Sequence, residues 1–226
     1  MRCTAEQVSS SSAWMILSPP LLARWRASVS RTASAMRAVH IAVASVALFI
    51  GVVASVVLVP DSRGAWGASL AVVMVAIAAV DARRFIIPNE LTAAALALGL
   101  VYAAASDFDI WVQALAWSAL RAAVSALVFL GVRAVYRRLR GREGIGLGDV
   151  KLAGVAGAWL DWPIIPIAIE IAAVAALGAY LIRHFCFRRA VRPTTRMPFG
   201  LFLAPAIWIG WLLETTLFLF PSASSF

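Results

Sequence analysis

Apolar residues run through this chain in long blocks, each closed by a short polar segment. A helix needs roughly 20 predominantly apolar residues to cross about 30 Å of hydrocarbon. On that measure residues 40–59 form a first span, 66–80 a second and 91–105 a third, and a fourth lies within 117–136. After a glycine-rich break comes a short helix, 150–160, which does not reach the far surface alone. Residues 164–182 and 198–220 supply two more spans. The pattern predicts an all-α, polytopic membrane bundle of about seven spans, one of them short, because only closed backbone hydrogen bonding survives in lipid.

Composition agrees. Hydrophobic residues make up 62% of 226 positions, mean hydropathy is +0.89, and charged residues are only 14%, too few to cover a soluble domain. The two cysteines, Cys3 and Cys186, form no Cys-x-x-Cys or Cys/His cluster, so no disulfide framework, structural metal or cofactor is expected. The net charge of +9 comes from nineteen arginines and the single Lys151 against eleven acids. No soluble basic module is present to bind nucleic acid, so the partner of this charge is the bilayer.

The basic residues sort by loop. Eighteen of the twenty lie before the first span or in every second connection, among them Arg24, Arg31, Arg83, Arg84, Arg137, Arg138, Arg183 and Arg192. The intervening loops hold Asp61, Arg63, Asp107, Asp109 and Asp161. Basic segments stay cytoplasmic during insertion, which places the amino terminus inside and, after seven crossings, the carboxyl terminus outside. Arg121 is the misfit: it snorkels outward, or residues 110–120 are an interfacial segment. Residues 1–37 read as a polar, basic, disordered cytoplasmic tail, with Met15 and Met36 as alternative starts. Residues 38–221 form the membrane domain and 222–226 a short outer tail.

Ionisable groups inside spans are functional candidates by default. Four acids qualify: Asp81, Asp149, Glu170 and Glu214. The topology puts Asp81 and Asp149 at one cytoplasmic boundary and the glutamates nearer the outer half, where they read as interhelical hydrogen-bond partners. Two aspartates facing one another in a partly desolvated site share a proton. Such a pair hydrolyses an amide: the ionised member takes a proton from water, and the protonated member polarises the carbonyl.

Asp149 sits in "GREGIGLGDVKLAG", residues 141–154. Gly146 and Gly148 let backbone approach a helix or an extended peptide, and Asp149 would open the following helix, whose dipole favours a carboxylate. Lys151 either tunes an aspartate or anchors the helix at headgroups. Pro88 and Asn89 read first as turn formers, and Pro198, Phe199 and Gly200 as a break into the last span, with lining of the site as the sharper alternative. His40, His184 and the nine tryptophans fit the membrane interface.

Three stretches together resemble the type IV prepilin peptidases, intramembrane aspartic peptidases of the G-x-G-D kind. They are "DARRFIIPNELT" at 81–92, "EGIGLGDVKLAGVAGAWL" at 143–160 and "RMPFGLFLAPA" at 196–206. The resemblance implies that Asp81 and Asp149 are the catalytic pair. It implies an enzyme of the bacterial plasma (inner) membrane, with its active site facing the cytoplasm. The substrates implied are prepilin or pseudopilin precursors, which lose a short basic leader just before a hydrophobic helix, and components of a pilus or secretion assembly are the further partners. Larger members carry a cysteine-rich insert and also N-methylate the new terminus. Here only "VPDSRGAW" separates the first two spans. The likeness is therefore to the short, peptidase-only form, and methyltransferase activity is in doubt. A transporter using the four acids as an ion path would need an internal repeat and carboxylates at several depths, and a non-catalytic assembly factor would not need both aspartates.

Overall fold

The computed structural model describes residues 19–106, 109–141, 144–187 and 198–218. All of their regular structure is helical. The elements are α1 (Pro19–Leu58), α2 (Ser62–Arg84), α3 (Asn89–Ser106), α4 (Trp111–Arg140), α5 (Leu147–Trp159), α6 (Ile164–Phe187) and α7 (Gly200–Leu213). A π-helical turn, Glu214–Phe218, prolongs α7. Six helical stretches are long and apolar enough to cross a membrane; the exception is α5. The expected polytopic bundle with one short helix is what the chain forms.

The chain divides into two units, Met1–Ala42 and Val43–Phe226. In the first, α1 begins at Pro19, well ahead of the expected span. Proline suits a first helical turn, where its missing N–H has no partner to lose, and after Pro20 no Gly or Pro follows until Gly51. The tail expected to be disordered is thus helical from Pro19 onward, while residues 1–18 and the outer tail, 222–226, lie outside the described residues.

In the second unit the short helix is the centre. Every residue from Leu152 to Leu160 is buried, against α3, α4 and α7. A helix apolar all round needs partners all round. Trp159 Nε1 donates to Ala95 O of α3 at 2.8 Å, and Ser118 Oγ of α4 donates to Ala158 O at 2.8 Å. Gly157 lets the α4 backbone at Arg121 approach to a distance that no Cβ would allow. Leu70, Met74 and Ile77 of α2 and Leu203, Ile207 and Trp211 of α7 complete the core.

Residues 111–120 are not a separate element: they are the first turns of α4, which is continuous from Trp111 to Arg140. Arg121 instead reaches the turn after α5, where its Nη1 lies 3.0 Å from Asp161 Oδ1. The Asp161 N–H donates to Glu214 Oε2 at 3.1 Å, so Glu214 binds the turn between α5 and α6 rather than another helix. Nor does Glu170 bind one; it stands exposed on α6.

Candidate active site

Asp81 lies in the last turn of α2 and is buried, with only 4% of its surface exposed. Its Oδ2 accepts the Leu201 N–H at 2.9 Å, and the Gly200 N–H also faces the carboxylate. These are unpaired donors of the first turn of α7, where the helix dipole favours a negative group. Gly200 has no side chain for a direct reason. A Cβ there would stand 2.8 Å from Asp81 Oδ2 and 2.7 Å from Ile87 Cδ1.

Asp149 occupies the third position of α5. Its Oδ2 accepts the N–H of Gly146, the residue that precedes the helix, at 3.2 Å. This is the returning half of a capping box, in which an acid one turn in satisfies the N–H at the helix start. The two carboxyls are near enough for the charge of Asp81 to act on Asp149. Each is therefore held by a helix amino terminus, Asp81 by that of α7 and Asp149 by that of its own helix.

The turn between α2 and α3 lies against Gly148 and Gly200. The Phe85 N–H caps α2 by donating to Asp81 O at 2.9 Å, and Phe85 adopts a left-handed φ of 54°. A bulky residue is uncommon there, since its Cβ crowds the following carbonyl. Ile87 then drops between the two glycines. A Cβ on Gly148 would sit 3.0 Å from Ile87 Cβ, so both glycines make room for this side chain. Pro88 O and Asn89 O accept the Thr92 hydroxyl, which secures the start of α3. Asn89 Oδ1 accepts from Lys151 Nζ at 2.5 Å, which ties α3 to α5. Phe199 caps α7 through its carbonyl, bonded to the Phe202 and Leu203 N–H groups, and packs on the core.

With this geometry in place, likeness to known proteins is informative. A family model described as the type IV leader peptidase family matches residues 68–181, half of the chain, including both aspartates. The chain belongs to the type IV leader peptidase family. The prepilin leader peptidase/N-methyltransferase of Pseudomonas putida is 33% identical over 138 residues, covering 60% of this chain and 45% of that protein. The protein of the same name from Aeromonas hydrophila is 30% identical over 151 residues, 65% of this chain and 50% of its own length. Leader peptidase HopD of Escherichia coli is 33% identical over 132 residues, 58% of this chain and 82% of its own. The chain thus spans about half the length of the first two relatives. No solved structure matches it.

In this leader peptidase family member the ten residues expected at the site gather at one end of the bundle. Asp81, Asp149, Gly146, Gly148 and Gly200 meet directly or through Ile87, and Asn89 and Lys151 stand beside them. Pro88 and Phe199 contribute through backbone carbonyls, and Pro198 precedes the α7 cap, half-buried. Two contributors escaped the sequence reading. Ile87 lies inside a recognised motif but carries no reactive group to single it out, and the Leu201 N–H is backbone, which no residue type announces. Among the described residues no three His, Cys, Asp or Glu side chains stand together as a metal would need.

Proposed function

We propose that this protein is an intramembrane aspartic endopeptidase. It removes the short basic leader from prepilin or pseudopilin-like precursors at the cytoplasmic face of the bacterial plasma membrane. The observation that carries the reading is that Asp81 and Asp149 stand at the same end of the bundle, each held by a helix amino terminus, with Ile87 packed against the glycines beside both. The relatives' own names, prepilin leader peptidase/N-methyltransferase and leader peptidase HopD, support the same reaction.

The chemistry follows from two carboxyls sharing one proton. The ionised member takes a proton from water as the oxygen attacks the scissile carbonyl. The protonated member donates to that carbonyl oxygen and stabilises the tetrahedral intermediate. The C–N bond then breaks, the departing nitrogen receives a proton from the dyad, and the leader leaves as a carboxylate. Backbone donors fixed at a helix end, as those on Asp81 are, need not reorganise as charge moves. The basic loops place this end of the bundle in the cytoplasm by the positive-inside rule, where a basic leader would lie. Pilus or secretion components are the further partners of this reading. An ion path through all four acids fits less well, since Glu170 faces outward from α6 and Glu214 is bound to the Asp161 turn.

The test is co-expression with pilin-like precursors, reading mature amino termini by mass spectrometry. Asp81→Asn and Asp149→Asn should each lower cleavage at least about 100-fold while the protein still inserts, as expected for a lost proton carrier. Glu170→Gln should retain most activity. Equal losses in all three variants would reject the dyad. An unmodified new terminus would support peptidase-only chemistry.

A further inference from the structure

Three large apolar residues follow α2, and they do not behave alike. Phe85 and Ile86 are exposed, whereas Ile87 turns inward, half-buried and packed on the core. The backbone around Ile87 is pinned on both sides. Upstream, the Phe85 N–H donates to Asp81 O at 2.9 Å. Downstream, the Pro88 ring limits the residue before it to extended conformations, and Lys151 Nζ of α5 holds Asn89 Oδ1. Ile87 is also β-branched, so its first side-chain torsion is stiff. A stiff side chain on a pinned backbone keeps its place.

That place is against two helix ends. A Cβ on Gly148 would meet both Cβ and Cδ1 of Ile87 at 3.0 Å, and one on Gly200 would meet Ile87 Cδ1 at 2.7 Å. Gly148 directly precedes Asp149 in the first turn of α5. Gly200 directly precedes Leu201, whose N–H holds Asp81 at the start of α7. The hydrogen bonds of the two carboxylates run to different helix ends, Asp81 Oδ2 to the Leu201 N–H and Asp149 Oδ2 to the Gly146 N–H. Packing between those ends therefore sets how far apart the carboxylates stand. In a close-packed interior the volume of the side chain between them is felt directly.

We infer that Ile87 is the positioning residue of the dyad: its side chain spaces the amino termini of α5 and α7, and through them Asp149 and Asp81. The inference rests on the leader peptidase reading. Ile87 carries no group that can move a proton, so it acts only through its neighbours. The demand it meets is geometric. A water shared by two carboxyls must lie within about 2.6–3.2 Å of each, and catalytic groups tolerate only about 0.5 Å of displacement.

The test uses the full chain in lipid vesicles with a precursor as substrate. Ile87→Ala should lower kcat about tenfold while KM changes less than about twofold, because a displaced reacting group costs turnover rather than binding. Ile87→Val, which removes one carbon, should fall between Ile87→Ala and wild type. Ile164→Ala is the control for packing alone, an equal truncation at a fully buried position at the start of α6. It should destabilise at least as much and leave kcat within about twofold of wild type while the protein stays folded. Gly148→Ala returns a carbon from the α5 side. Combined with Ile87→Ala, it should give a kcat at least about threefold above the product of the two single effects. Independently of cleavage, thermal unfolding in detergent should show the same coupling. Gly148→Ala and Gly200→Ala should each lower the midpoint less in an Ile87→Ala chain than in wild type. That coupling in a chain that cleaves no precursor would support the spacing and count against the peptidase reading. Lower stability with kcat unchanged would make Ile87 ordinary core, and a raised KM at unchanged kcat would make it a substrate contact. Strictly additive effects would separate it from the glycines. Each of these three results would overturn the proposal.

Discussion

Glycine at position 200 is the residue whose replacement says most about the site. Its Cβ would press on both the Asp81 carboxylate and Ile87. Gly200→Ala should therefore push the carboxylate off the Leu201 N–H and lower leader cleavage about tenfold or more, with the protein still folded, as misplacement of a catalytic group does. Gly148→Ala meets Ile87 first, at 3.0 Å, and Gly146→Ala meets Asp149 Oδ2 at 3.3 Å. Activity should fall in the order Gly146, Gly148, Gly200, from mildest to worst; kcat/KM on one precursor checks it, and any other order would sink the packing argument. The glycines of "GIGLGD" were legible as a site, but their reason was not. Sequence reading assigned them to close approach by a helix or an extended peptide, whereas Gly148 makes room for the Ile87 side chain of the preceding turn.

Among the elements, α5 shows how hydropathy misleads about rank. At 13 residues it is about 20 Å long, the weakest candidate for a span, and yet it is the most completely buried helix of the second unit. Its uniform apolarity was the visible sign, since such a helix has no face for solvent. Its partners were not visible, because the seam with α4 depends on which small residue meets which backbone. Gly157 faces the main chain of α4 at Arg121, while a Cβ on Gly154 would make ordinary contact, 3.5 Å from Ala126 Cβ. Gly157→Ala should thus force α4 and α5 apart, strain the Ser118–Ala158 hydrogen bond and destabilise by about 1–3 kcal/mol, and Gly154→Ala should be close to neutral. Thermal unfolding of the two variants in detergent makes the comparison. Arg121, a misfit to hydropathy, is explained at this scale too: it binds the turn that ends α5.

For the whole molecule, the alternation of basic and acidic loops predicts which side each end of the bundle faces. A cysteine introduced at Arg140 should react with a membrane-impermeant thiol reagent only from the cytoplasmic side, and one at Asp161 only from the outside. Labelling in the opposite sense would put the dyad on the wrong face for a cytoplasmic leader. What the sequence by itself determined is the class of solvent and the inventory. Long apolar blocks require helices in lipid, since no other open structure satisfies its backbone there, and two aspartates beside short motifs nominate a chemistry. Only the tertiary structure decided how that chemistry is held. The Leu201 N–H on Asp81, Ile87 between two glycines, the Lys151–Asn89 tie and the Arg121–Asp161 pair all join segments far apart in the chain. Hydropathy is a property of windows along the chain, and it carries no information about which helix faces meet. That choice is made by shape, by small residues that let backbones touch and by helix ends whose free N–H groups need an acceptor.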